Sequence, residues 1–177
     1  IFLKNPHKVE NFPDDIKQLM TTSCYDNGYG WTGSWTNKCL YYDEVLSHAN
    51  VSGMWLEFGV FKGNSINYLS KKLKARTEDK LMYGFDSFVG LPEDWHSDSP
   101  HYKKGTFTLD GKLPEVNDNV RLVPGWYKDS LKRFVNGWSP GYEDFCSVLH
   151  IDCDLYSSTK TVLKYLKPTI KIGTVIL

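Results

Sequence analysis

Along the chain, the arrangement of hydrophobic and polar positions changes character near residue 53. Before it the sequence is polar and aromatic, with a glycine-rich stretch at 27–33 that reads as a loop between short helices predicted over 13–20 and 37–48. After it, compact apolar runs alternate with amphipathic ones. Met54-Trp55-Leu56-Glu57-Phe58 is a buried-strand pattern with glycine on either side. Residues 64–75 place Ile66, Leu69 and Leu73 on one helical face and leave Lys71, Lys72 and Lys74 for the wet face. Further strands are predicted over 81–85, 120–123, 146–151 and 172–177, and further helices over 128–135 and 157–166. The last helix has Ser157 or Ser158 as N-cap candidates and Pro168 as its stop. The polar stretch 92–119 holds three prolines and no periodicity. Strands alternating with helices predict an α/β fold, a doubly wound and mainly parallel sheet with helices on both faces.

Composition narrows the classes. A length of 177 residues suits one domain. With 21 basic and 21 acidic residues the net charge is zero, which removes the electrostatic footprint of a nucleic-acid binder. An aromatic content of 15% argues against disorder. No apolar run approaches the roughly 18–20 residues of a membrane span, and the opening IFLKNPHK lacks the apolar core of a signal peptide. Cys24, Cys39, Cys146 and Cys153 form no C-x-x-C pair or zinc-type spacing, so they read as small apolar residues in a reducing compartment, with the cytoplasm as default location. The chain starts without Met and stops on the apolar run GTVIL, which reads as a fragment of something longer.

Three clusters carry candidate chemistry. Glu57-Phe58-Gly59-Val60-Phe61-Lys62-Gly63-Asn64-Ser65 joins a predicted strand to a predicted helix, where ligands sit in a doubly wound sheet. Gly59 would let the turn pass beneath a ligand and Gly63 would open the helix, whose free amides, with the Ser65 hydroxyl, favour a carboxylate or phosphate. The spacing is G-x-x-x-G, so the pyrophosphate fingerprint G-x-G-x-x-G is missing. Glu57 would repel phosphate but could bind an amine, so acid and amides together suit an amino-acid moiety. Asp86, closing the second strand, is placed to accept ribose hydroxyls. The two describe a ligand with an amino acid at one end and a nucleoside at the other, S-adenosylmethionine. A purely structural turn and a solvated loop acid are the plain alternatives.

The third cluster is His150-Ile151-Asp152-Cys153-Asp154-Leu155-Tyr156, closing the fourth strand. Of two carboxylates one residue apart, one can hold a hard divalent cation while the other works as a base. D-x-D is shared property, however. Metal-dependent glycosyltransferases use it with nucleotide-sugars, and dehalogenase-type phosphatases use D-x-D-x-[TV], whose last place is Tyr156 here. His150 reads as a satisfied core histidine. His96, His101, Lys103 and Lys104 fall in a stretch, 95–117, placed to cover a substrate, and read as solvated loop residues.

LEFGVFKGNS, YGFDSFVGLPEDW, VPGWYKDSL and HIDCDLYSSTK, in that order, resemble the macrocin O-methyltransferase family (TylF/MycF type). Its members are class I S-adenosylmethionine-dependent enzymes that methylate sugar hydroxyls. The resemblance covers roughly 52–177, and Lys62-Gly63-Asn64 departs from the family's arginine and paired glycines. It implies a Rossmann-like domain over 53–177, preceded over 1–52 by a helical and loop extension covering the site. Glu57, Gly59, Gly63 and Ser65 would lie along the methionine part of the cofactor, Asp86 on its ribose, and Gly125 and Trp126 near its adenine, with Trp126 equally readable as core. Asp152 matches the family's magnesium ligand and Asp154 its proposed general base. The resemblance also implies an acidic pair completing the metal site, and two more strands, after Leu177. The expected partners are a small-molecule hydroxyl acceptor, with no nucleic acid and no membrane, and a second copy paired at the exposed sheet edge. A non-catalytic cofactor-binding fragment is the remaining alternative.

Overall fold

The computed structural model describes residues 35–96, 101–137 and 145–177. The chain divides into two compact units, Ile1–Ser47 and His48–Leu177. In the first, the described residues form one helix, α1 (Trp35–Ser47), which begins two residues earlier than the sequence pattern predicts. The helix predicted over 13–20, the glycine-rich loop at 27–33 and Cys24 lie outside the described residues.

The second unit is built on five strands: β1 (Met54–Phe58), β2 (Met82–Asp86), β3 (Val120–Pro124), β4 (Cys146–Ile151) and β5 (Val175–Ile176). All pair in parallel, in the order β3-β2-β1-β4-β5. The chain therefore steps outward from β1 through β2 to β3, then returns to lay β4 on the other side of β1. That reversal opens a crevice at the carboxyl ends of β1 and β4, where this architecture binds ligands. β1 is central and all five of its residues are buried, which is why its sequence is a continuous apolar run broken only by Glu57.

Helices cover the sheet. α2 (Asn64–Lys74) buries Ile66, Leu69 and Leu73, each contributing roughly 1.5–3 kcal/mol by leaving water. It packs so closely that a Cβ on Gly84 would stand 2.3 Å from Ile66 Cδ1. On the other face Met54, Leu56, Phe58, Phe85 and Leu149 form one core with Leu131 of α3 (Tyr127–Asn136) and Val162 and Leu166 of α4 (Tyr156–Leu166). Phe85 stacks on Phe58 at 4.8 Å and meets Phe134 edge-on at 5.1 Å.

Two expectations need correction. The strand predicted over 172–177 is limited to Val175–Ile176, because Gly173, at φ +94°, and a Thr174 amide bonded to the Lys171 carbonyl form a turn first. The N-cap of α4 is Leu155 rather than a serine, and it makes no side-chain cap. Ser157 donates its hydroxyl instead to Glu93, tying the segment after β2 to the start of α4. Pro168 does stop the helix, lying in a 3-10 turn at Lys167–Thr169.

The long segment between β2 and β3 folds upon itself through bridges pairing Val89 with Thr108 and Trp95 with Tyr102. Its end is fastened to α2: the Asn117 amide nitrogen donates to the Asn67 carbonyl and the Ser70 hydroxyl. No helix among the described residues is long and apolar enough to cross a membrane.

Candidate active site

The turn after β1 is set by its neighbour. Gly59 donates its N–H to the Phe85 carbonyl at 3.0 Å, while Asp152 donates its own to the Phe58 carbonyl at 2.9 Å. The β4 turn thus lies directly against Gly59, where φ is +94° and a Cβ would be 1.9 Å from the Asp152 carbonyl oxygen. Only glycine fits there. Gly63, at φ +84°, is the N-cap of α2, which has no side-chain cap. The first amides of a helix have no partner within it, so those of the opening turn of α2 are available to an anion.

Asp86 does more than its position at the end of β2 suggests. Its Oδ2 accepts the N–H groups of Val60 and Phe61, at 2.9 and 2.8 Å, and its Oδ1 accepts that of Phe88 at 2.8 Å. Three of the roughly four acceptor positions of a carboxylate are therefore filled by backbone. These charge-assisted bonds offset the cost, about 1–3 kcal/mol, of holding Phe61 at φ +46° and Phe88 at φ +56°. Val60 and Phe61 consequently have no amide left for a phosphate, and the anion-binding part of the turn narrows to the helix start.

Glu57 is completely buried, opposite Gly84 on β2 and His150 on β4. Its Oε1 accepts the Ser65 hydroxyl at 2.9 Å, and its Oε2 lies 3.1 Å from His150 Nδ1. His150 is 4% exposed, in keeping with a satisfied core histidine. Nothing in sequence spacing shows that it meets Glu57. A period-2 pattern identifies strands but gives no register between partners 93 residues apart.

Asp152 and Asp154 both end on the exposed side of the β4 turn, with Cys153 between them buried in the core. Asp154 is held at φ +59°, a conformation that Asp tolerates better than most residues. Although its side chain reaches solvent, crowding around the carboxyl, and then the charges of Asp152 and Asp86, push its pKa up to about 6. The half-buried Tyr127 lies among the same groups. Burial first, then the nearby Cys153, Asp86, Asp154 and Glu57, keep its phenol well above the usual range. The ends of β1, β2 and β4 therefore converge on one acidic crevice. Tyr127 was not expected there, and its place after Gly125-Trp126 was the only hint.

Gly125, at φ +125°, donates its N–H to the Asp86 carbonyl at 2.9 Å, which brings the β3 turn beside the β2 turn. Trp126 is 41% exposed at the start of α3 and is not core. Of the loop residues, Lys103 pairs with Asp94 at 2.8 Å and His96 meets His101 edge-on. Among the described residues no three His, Cys, Asp or Glu side chains are gathered as a metal site. The donors present suit magnesium in kind, because Asp152 and Asp154 are hard oxygen ligands whose mutual repulsion a divalent cation would relieve.

The sheet order and the glycine turn at its reversal define a Rossmann-like fold, and solved structures share it. The O-methyltransferase NovP superposes with a TM-score of 0.53 at 24% identity, over 78% of this chain and 61% of that one. The apo structure of CalS11, a TDP-rhamnose 3′-O-methyltransferase of calicheamicin biosynthesis, gives 0.58 at 17% identity, over 99% and 79%. Residues 37–177 match the macrocin-O-methyltransferase (TylF) family, and the chain belongs to it.

Three curated relatives are each 29% identical. One is the 8-demethyl-8-(2,3-dimethoxy-alpha-L-rhamnosyl)-tetracenomycin-C 4′-O-methyltransferase of Streptomyces olivaceus, matched over 73% of this chain. The others are the demethyldecarbamoylnovobiocin O-methyltransferase of Streptomyces niveus, over 74%, and the mycinamicin III 3″-O-methyltransferase of Micromonospora griseorubida, over 70%. The chain covers 53% of each relative, about half its length.

Proposed function

We propose that this protein transfers a methyl group from S-adenosylmethionine to a hydroxyl of a sugar or small natural product. The observation that carries the reading is the convergence of three strand ends on one crevice with an open helix start on one side and two neighbouring carboxylates, Asp152 and Asp154, on the other. Membership of a family named for O-methyl transfer, with relatives named as O-methyltransferases of a rhamnosyl-tetracenomycin and of mycinamicin III, supports the same chemistry.

The opening amides of α2 suit the carboxylate of the cofactor's amino-acid end, with Gly59 and Gly63 keeping the floor clear. Asp86 has acceptor capacity left for one ribose hydroxyl beside its backbone bonds. Gly125 and the exposed Trp126 would flank the adenine, whose face an indole can stack upon. Methyl transfer is an in-line displacement, so holding donor and acceptor in file supplies much of the rate.

A sugar hydroxyl is a poor nucleophile until its proton is drawn away. Asp154, at about 6, is ionised at neutral pH yet more basic than an ordinary carboxylate, which suits a general base. Asp152 would hold magnesium, which when bound supplies polarisation of the acceptor hydroxyl.

The test compares ligands. The chain should bind S-adenosylhomocysteine with or without magnesium and should fail to bind a UDP-sugar with manganese. The reverse pattern would make it a D-x-D glycosyltransferase. A panel of glycosides with methyl-labelled S-adenosylmethionine then seeks turnover.

A further inference from the structure

Part of the segment between β2 and β3 is a short antiparallel hairpin, whose register is set by three successive cross-strand pairs. Trp95 and Tyr102 exchange both backbone hydrogen bonds, N–H to carbonyl, at 2.8 and 3.1 Å. On one side of them Lys103 meets Asp94 at 2.8 Å, and on the other His96 meets His101. Successive side chains of a strand point to opposite faces. One face of the hairpin therefore carries Trp95 stacked on Tyr102, whose ring leads to Phe107 at 5.2 Å and from there to Phe61, in the turn after β1, at 5.6 Å. The other face carries the ion pair and the two histidines, both exposed.

His96 and His101 form a non-hydrogen-bonded pair of the ladder, the kind in which opposed side chains come closest. Their ring centres are 5.7 Å apart, with the planes inclined at 64°. Two imidazoles sharing one metal ion at about 2.0–2.1 Å per nitrogen hold their ring centres roughly 5 Å apart at a tetrahedral angle and roughly 6 Å apart at wider ones. The observed spacing falls within that range. The backbone has thus brought both rings to chelating distance, so a cation held by one meets the other at high effective concentration. Asp94 shares this face and lies within electrostatic reach of His96. Its two oxygens already accept from the Lys103 ammonium and the Lys104 amide, so the histidines are left as the ligands.

We propose that His96 and His101 form a two-ligand site for a borderline divalent transition metal (zinc, nickel or copper), with water completing the coordination. Imidazole suits these ions, whereas magnesium prefers hard oxygens such as those of Asp152 and Asp154. The site differs in donor chemistry from the D-x-D turn, and it stands whether or not the crevice takes S-adenosylmethionine. A closed structural zinc site uses four protein ligands, so a site with two keeps an exchangeable ion. Bound there, the ion clasps a hairpin whose other face is joined through Tyr102 and Phe107 to the turn after β1.

Calorimetric titration of the chain with Zn²⁺ alone tests this. His96→Ala and His101→Ala should each weaken binding by more than about tenfold, the least that losing even an outer partner of a metal ligand costs. The double variant should bind no more weakly than either single one, because one imidazole no longer chelates. Cu²⁺ should bind more tightly than Zn²⁺, and the histidine substitutions should leave any Mg²⁺ response unchanged. Both side chains are exposed, so the variants should keep the Tm of the unmodified chain in metal-free buffer. Hydrogen–deuterium exchange of the unmodified chain locates the ion independently: Zn²⁺ should slow the amides of Trp95 and Tyr102. No Zn²⁺ binding, or affinity unchanged in both histidine variants, would overturn the proposal. So would binding that Asp154→Asn abolishes, or saturating Zn²⁺ that leaves the Trp95 and Tyr102 amides unaffected.

Discussion

Gly59 and Asp152 meet at the sheet's reversal so closely that the backbone of one occupies the space a side chain on the other would need, with 1.9 Å between a Cβ at Gly59 and the Asp152 carbonyl oxygen. This contact joins the turn proposed for the cofactor's amino-acid end to the turn bearing the two carboxylates. Gly59→Ala should therefore cost about 2–4 kcal/mol, through both the clash and the strained φ, and abolish S-adenosylhomocysteine binding. At Gly63 the nearest atom would be 3.4 Å away, so Gly63→Ala should cost only the strain, about 1–2 kcal/mol. Urea unfolding of the two variants compares them, and equal costs would contradict the contact.

The proposed function gives Asp154 a part in chemistry and not in holding the cofactor. With an acceptor from the glycoside panel, Asp154→Asn should lower kcat by about 10²–10⁴-fold. The affinity for S-adenosylhomocysteine should change by less than about threefold. A parallel fall in both would show that Asp154 shapes the pocket instead.

The same carboxyl makes stability depend on pH in an uncommon direction. Its pKa is raised from 3.8 to about 6 by crowding and by its acidic neighbours. Between those values the folded chain holds a proton that the unfolded chain has already released, so the contribution of Asp154 becomes less favourable as pH rises through the window. In metal-free buffer, Asp154→Asn should gain Tm relative to the unmodified chain between about pH 4 and pH 6 and hold the gain above. A difference independent of pH would refute the raised value.

Cys146 and Cys153 are buried, and desolvation raises both thiols to about 11. Thiolate is the reactive form, so neither should react with Ellman's reagent at pH 7.5 in the folded chain. Denaturation should expose all four cysteines of the sequence. Rapid modification of Cys153 in the native state would mean that the β4 turn opens.

What the sequence made legible follows from burial. The pattern locates β1 and β4 to the residue because both are short, mainly apolar and buried runs, β1 interrupted by Glu57 and β4 by Ser147 and His150, and it locates α2 to within a residue because its apolar face repeats at helical spacing. β5 was overextended because Ile172, apolar yet fully exposed, continues the pattern without pairing. Ser157 reads as a cap in the sequence because residue type alone does not show that its hydroxyl goes to Glu93, 64 residues away. The site was legible one residue at a time. Glu57 with His150, and Asp86 with the amides of a turn 25 and 26 residues upstream, are pairings created by strand register. Sequence spacing carries no trace of them.

Hydrogen–deuterium exchange with and without S-adenosylhomocysteine measures the crevice most directly. Amides at the opening of α2, in the turn following Asp86 and around Gly125 should all slow when the ligand is added, while those of the outer β5 provide the internal comparison. Unchanged exchange at these three turns under saturating ligand would contradict the assignment of the crevice to S-adenosylmethionine.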